Sequence, residues 1–210
     1  MSVGRIITSD ACVAEGAAFL AGIEPRFAAA LSETGKLPLR LRKDGFRALL
    51  DAIVSQQISV AAANGVWERM RLAGACSRAG VRRMSDDELR ACGLSRQKIR
   101  YARALAAAPV SYRALRQMPT DQVIAELTNI TGIGTWTAEV YAMFSLGRAD
   151  IFAPGDLALQ EAARVLFDLP ERPNERAFRA MARDWSPWQS VAARILWAYY
   201  RVIKARDGLR

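Results

Sequence analysis

Two short segments of this 210-residue chain hold residues whose types and spacing suit chemistry. The first is Leu127-Thr-Asn-Ile-Thr-Gly-Ile-Gly-Thr-Trp-Thr-Ala138, with a helix-like stretch on either side. Gly132 and Gly134 let the chain turn sharply and bring backbone N–H groups to the start of the second helix. With the hydroxyls of Thr135 and Thr137, those donors make a cradle for a phosphate at the positive end of a helix dipole. Such a grip holds a nucleic-acid backbone without reading its sequence. The same glycines also suit a plain helix pair turned inside an all-α core. The second segment is Ile151-Phe-Ala-Pro-Gly-Asp156, leading into the amphipathic stretch Leu157–Phe167. Asp156 stands where a helix N-cap belongs. The dipole keeps a carboxylate there ionised, so capping and electrostatic work on developing positive charge are compatible roles.

What the chain lacks narrows the chemistry. It has no histidine, which excludes Ser-His-Asp and Cys-His catalysis and His-containing zinc sites. Its three cysteines, Cys12, Cys76 and Cys92, form no CxxC and are too few for a usual iron–sulfur cluster. They read as reduced thiols of a cytosolic protein. No basic-then-apolar signal pattern opens the chain and no apolar run reaches 18 residues, so no membrane association is expected.

Hydrophobic residues make up 51% and charged residues 24%, an ordinary globular balance. The net charge is +9, and with only Lys36, Lys43, Lys98 and Lys204 as lysines the excess is carried by arginine. Arginine forks match phosphate geometry, so a polyanionic partner is expected.

The elements that must position these residues are helices. In 44–70 Phe46, Leu49, Leu50, Ile53, Val54 and Ile58 share one face at spacings of three and four, with Asp44 as a candidate cap. Ser85 to Glu88 has capping-box spacing, and Gly93 is a natural stop. Ser95 caps a helix through Gln97–Ala107. Ser186-Pro187 offers a cap and a first-turn proline ahead of Trp188–Lys204. The stretches 78–83 and 170–174 read as surface loops, and only the first eight residues suit a strand. The expected fold is all-α, with two packed helical lobes, a helix-hairpin-helix motif and an inter-lobe cleft as the natural site. Lobe A covers about 44–118; lobe B covers about 1–43 plus 119–210.

The order of Ala52-Ile-Val-Ser-Gln-Gln-Ile-Ser59, Gly93-Leu-Ser-Arg-Gln-Lys-Ile99, the Gly132/Gly134 hairpin, Pro154-Gly155-Asp156 and Trp185-Ser-Pro-Trp188 resembles the helix-hairpin-helix DNA glycosylase superfamily. It looks most like the alkylated-base branch, the DNA-3-methyladenine glycosylase II type, in its compact form without an N-terminal β lobe. The resemblance covers roughly residues 20–205. It implies that Asp156 is the catalytic carboxylate, stabilising an oxocarbenium-like sugar or orienting water. It implies a base pocket walled by Trp136, Gln56, Trp188 and Tyr141. Gln57 would enter the gap left by a flipped nucleotide, and Gly132, Gly134, Thr135 and Thr137 would hold DNA. Trp185 and Trp197 read instead as core, and Glu139 and Glu161 as surface or DNA-distal residues. Ser95, Arg96 and Lys98 suit either phosphate contact or a capped, solvated helix start.

A base alkylated on a ring nitrogen already carries positive charge and leaves readily, so one carboxylate can suffice where ordinary glycoside hydrolysis uses two. The bifunctional relatives carry a hairpin lysine where this chain has Trp136, and no lysine lies between Lys98 and Lys204. Amine-based strand cleavage is therefore not expected. Two positions depart from the family's pattern: Gln57, where the wedge is often apolar, and Val140, where relatives can be aromatic. No cofactor is required; the resemblance allows a structural Na+ or K+ on the backbone carbonyls of Thr128, Ile130 and Ile133. The implied function is a monofunctional base-excision glycosylase acting on double-stranded DNA with alkylated purines, as a monomer, in the cytoplasm at the nucleoid. The alternatives are a same-fold enzyme for oxidised or mismatched bases and a non-catalytic damage-binding protein.

Overall fold

The computed structural model describes residues 3–208. In chain order its helices are α1 (Asp10–Ile23), α2 (Pro25–Thr34), α3 (Phe46–Ser55), α4 (Val60–Leu72), α5 (Arg78–Arg83), α6 (Asp86–Ala91) and α7 (Arg96–Ala107). There follow α8 (Tyr112–Gln117), α9 (Thr120–Thr128), α10 (Thr135–Phe144), α11 (Leu157–Leu166), α12 (Glu175–Ala182), a 3-10 turn at Arg183–Trp185 and α13 (Gln189–Asp207). Among the described residues there is no strand, only an antiparallel bridge between Ile6 and Arg148. The segment expected as a strand has no longer ladder to join. The residues fall into two compact units, Arg42–Tyr141 and a second formed by 3–41 with 142–208.

In the first unit α7 is the central helix, packed against α3, α5 and α6. It buries Ile99, Ala102, Leu105 and Ala106 at spacings of three and four, against Leu49, Leu50, Ile53 and Val54 of α3. Each large apolar side chain so buried contributes about 1.5–3 kcal/mol. Ser95 caps α7 as expected, and the Ser85–Glu88 capping box is complete. Segment 119–141, assigned above to the other lobe, belongs to this unit, because its hairpin is tied to α3 and α7. The face read across 44–70 is broken at Gln56–Ser59 into two helices. Asp44 does not cap α3; Gly45 does, while Asp44 forms a forked ion pair with Arg116 (2.7 and 2.9 Å). The stretch 78–83, expected as a loop, is the short helix α5, capped by Ser77 on the Gly80 N–H. The loop at 170–174 is present.

In the second unit α13 packs on α1, α2 and α11. Phe27, Phe152, Phe167, Phe178 and Trp185 form an aromatic core with centroids 4.8–6.1 Å apart, edge-to-face except for the stacked pair Phe167–Trp185. Helices α1 and α13 approach closely at Gly16, where a Cβ would lie 2.6 Å from the Trp188 ring and 2.7 Å from Val191. Helix α13 starts at Gln189 rather than Trp188. Ser186 does not cap it, because its hydroxyl donates to Asp150 at 2.8 Å.

Candidate DNA-binding and catalytic site

Within the first unit, the hairpin turn joins the end of α9 to the start of α10. The Ile130 N–H donates to Leu127 O (3.1 Å) and the Ile133 N–H to Ile130 O (2.9 Å), which fixes the turn. Gly132 is required twice over: its φ is +97°, and a Cβ would stand 2.3 Å from Cγ of Tyr101. Gly134 serves differently. Nothing lies within 4 Å of where its Cβ would be, so its backbone is open to solvent at the head of α10. The first-turn amides of α10 have no partners within the helix, and at the exposed Gly134 and Thr135 an anion can approach them. Thr137, expected to join them, is buried, only 6% exposed.

Facing the hairpin is the break between α3 and α4. Gln56 caps α3, and Gln57 has φ +58°, a left-handed conformation that non-glycine residues rarely adopt. The Gln57 side chain is exposed; the Gln56 amide donates to Gly132 O at 3.0 Å. That donor is therefore spent on the hairpin backbone, which departs from the expected base-lining role. The Lys98 ammonium donates to Val54 O at 2.6 Å, and burial draws its pKa down from the ordinary lysine value. Gln56, Gln57, Lys98, Tyr101, Gly132 and Gly134 together line a groove of about 640 Å³.

Trp136, on the first turn of α10, is 43% exposed, unusual for a large aromatic and suited to offering a π face to a base. Tyr141 is not available in that way. It is buried, its phenol oxygen accepts the Gly45 N–H at 2.9 Å, and burial pushes its pKa far above the ordinary phenol range. Glu139, expected at the surface, is 2% exposed.

Within the second unit, Asp156 caps α11. Its Oδ1 accepts the N–H of Ala158 (2.9 Å), the N–H of Leu159 (3.0 Å) and the indole N–H of Trp197 (3.2 Å). The preceding loop is held from both sides. The Asp156 N–H donates to Ala153 O (3.1 Å) and the Gln160 amide to Pro154 O (2.7 Å). Three donors on one oxygen hold the carboxylate in a defined orientation. Sequence reasoning had put Trp197 in the core. Its ring does rest beside Phe144 at 5.6 Å between centroids, but the indole nitrogen serves Asp156. A tryptophan 41 residues away on an amphipathic helix carries no local signal of that bond.

Trp188, expected as a pocket wall, is a core residue here. It is buried against Gly16, with the Arg5 guanidinium 4.5 Å above its ring. Trp185 is core as expected. Glu161 is half-buried and ion-paired to Arg164 at 2.8 Å, which holds its carboxyl below the usual range. Among the described residues no group of three or more Cys, Asp or Glu could hold a metal ion. The carbonyls of Thr128 and Ile130 lie at the C-terminal end of α9 and in the turn that follows, and that of Ile133 just ahead of α10. Ile130 O already accepts one N–H and keeps a second lone pair.

Comparison with known proteins identifies the family. The profile of the HhH-GPD superfamily base excision DNA repair protein matches residues 50–187. A DNA-3-methyladenine glycosylase of Schizosaccharomyces pombe is 30% identical over 168 residues, spanning 74% of this chain and 72% of the relative. The crystal structure of a DNA-3-methyladenine glycosidase from Bacillus halodurans superposes with a TM-score of 0.79 at 30% identity, covering 89% of each chain. A Schizosaccharomyces pombe 3-methyladenine DNA glycosylase in complex with abasic DNA superposes with a TM-score of 0.76 at 28% identity, covering 87% of this chain and 95% of that one. With the match extending over well more than half its length, the chain belongs to the HhH-GPD superfamily of base excision DNA repair proteins, as a DNA-binding glycosylase.

Proposed function

We propose that this glycosylase excises alkylated purines of the 3-methyladenine and 7-methylguanine type from double-stranded DNA and leaves an abasic site without cutting the strand. The observation that carries the reading is Asp156, a carboxylate fixed by three N–H donors in a chain with no lysine between 98 and 204. The names of the relatives support the same substrate class.

In this reading the amides at Gly134 and Thr135 hold the DNA backbone and Gln57 fills the gap left by the flipped nucleotide. Trp136 stacks on the cationic base, an attraction that its charge strengthens. The C1′–N bond breaks with its electron pair leaving on the base, whose alkyl-induced charge is thereby neutralised. The Asp156 carboxylate stabilises the sugar cation. A water oxygen then bonds to C1′ and its proton passes to solvent. A monovalent cation on the carbonyls of Thr128, Ile130 and Ile133 would add positive charge beside the phosphate-binding amides. The protein works as a monomer at the nucleoid and needs no redox cofactor.

The test incubates the protein and its Asp156→Asn variant with methylated duplex, follows released bases by chromatography and scores nicks before alkali. Base release without nicking, lost in the variant, is the expected result. Release with nicking refutes the monofunctional reading. No release of either base, with duplex bound equally by both proteins, refutes the alkylpurine assignment.

A further inference from the structure

The left-handed turn at Gln57 carries an inference of its own, which rests on the reading that Gln57 enters DNA. A residue just past a helix end commonly adopts this conformation, and glycine is the usual choice because other side chains are strained there. This chain keeps a glutamine, exposed, in that conformation. Strain of this kind persists only where the surroundings over-determine the backbone. Two side chains do so. The C-terminal carbonyls of α3 lack amide partners by construction. Gln56 N–H covers Ile53 O at 3.3 Å, and the Lys98 ammonium covers Val54 O at 2.6 Å, a cation at the negative end of the helix. From the other side the Gln56 amide donates to Gly132 O, and Gly132 is itself seated against the Tyr101 ring of the helix that carries Lys98.

We propose that Lys98 and Gln56 are positioning residues. Lys98 locks the end of α3 and Gln56 ties the turn to the hairpin, so that Gln57 enters DNA as part of the rigid body that grips the phosphates. Lys98, which the sequence allowed as a phosphate contact, spends its charge inside the protein. The affinity gained at a damaged site then depends on a lysine that touches no DNA.

The test uses binding rather than base release, so that it stands apart from the catalytic reading. The probe is a duplex with 2-aminopurine opposite a stable abasic analogue, titrated beside an undamaged duplex. Gln57→Ala is expected to abolish the fluorescence change of 2-aminopurine. Lys98→Met, which removes a charge-assisted hydrogen bond, is expected to raise Kd for the abasic duplex about tenfold. It should weaken binding of undamaged duplex far less, and Lys98→Arg should restore the difference. Gln56→Leu, which removes only the tether to Gly132 O, should reproduce the effect and decides the matter if Lys98→Met fails to fold. An unchanged fluorescence response in Gln57→Ala overturns the proposal, as does an unchanged ratio of the two affinities in Lys98→Met and Gln56→Leu. Failure of the base-release assay above, with this signal intact, would instead fall on the assignment of Asp156.

Discussion

The indole N–H of Trp197 donates to Oδ1 of Asp156 at 3.2 Å, on the same oxygen that caps α11. A cap alone leaves a carboxylate able to rotate about its Cβ–Cγ bond. A third donor arriving from α13 adds a direction that the two backbone amides do not supply. Trp197→Phe keeps the ring beside Phe144 and removes only that donor. Single-turnover base release should fall about tenfold, as expected for one hydrogen bond to a charged group, with Kd for DNA unchanged. An unchanged rate would show that the indole merely packs.

Asp156 also has a structural role that can be separated from its charge. Asp156→Asn keeps an oxygen for the Ala158 and Leu159 amides, so its thermal midpoint should match that of the parent. Asp156→Ala leaves both amides without their cap and should lose about 1 kcal/mol. For a chain of this size that lowers the midpoint by about 2–4 °C. Both variants should be inactive, and calorimetry with the release assay separates the two contributions.

The two hairpin glycines should fail in different ways. Gly132→Ala places a methyl against the Tyr101 ring at a positive φ, and both faults act on the folded state. It should lower stability together with DNA binding. Gly134→Ala meets open space and should fold normally. The added methyl would stand where the backbone must admit a phosphate, so binding should weaken with the melting temperature unchanged. If Gly134→Ala binds DNA as well as the parent, the phosphate does not sit at that amide.

This contrast marks how far the sequence could be read. Helical periodicity, the Ser85 and Ser95 caps and the glycine turn are local signals, and each appears where the residues place it. The same local logic put Asp156 at the head of α11. What it missed is set by contacts distant in the chain. Asp44 has the right type and place for a cap but is drawn to Arg116, 72 residues on. Trp188 and Tyr141 have the right type for a pocket, yet close packing at Gly16 and the Gly45 N–H bury them. The apolar face of 44–70 does not reveal its own break. At the break the Lys98 ammonium donates to Val54 O and Gly132 O accepts from the Gln56 amide, both contacts from other elements.

Cys12 supplies a test of the second unit that is independent of DNA, with Cys76 and Cys92 of the first unit as internal references. Cys12 lies in the first turn of α1, where hydrogen bonds from Ser9 and Thr8 lower its pKa from 9.0 to about 7. Burial pushes Cys76 and Cys92 the other way. A thiol whose folded pKa is depressed binds its proton less tightly in the native state. Its contribution to stability is therefore full above about pH 9 and is lost as the pH falls through about 7. Reactivity follows the thiolate. Iodoacetamide should therefore label Cys12 in the native protein with a midpoint near pH 7, while half-buried Cys76 reacts only at higher pH and buried Cys92 only in denaturant. Ser9→Ala removes the largest of the hydrogen bonds and the helix cap together. It should move the labelling midpoint of Cys12 toward 9 and cost about 1 kcal/mol of stability. A midpoint that stays near 7 in Ser9→Ala would mean that Thr8, not the Ser9 hydroxyl, holds the thiolate.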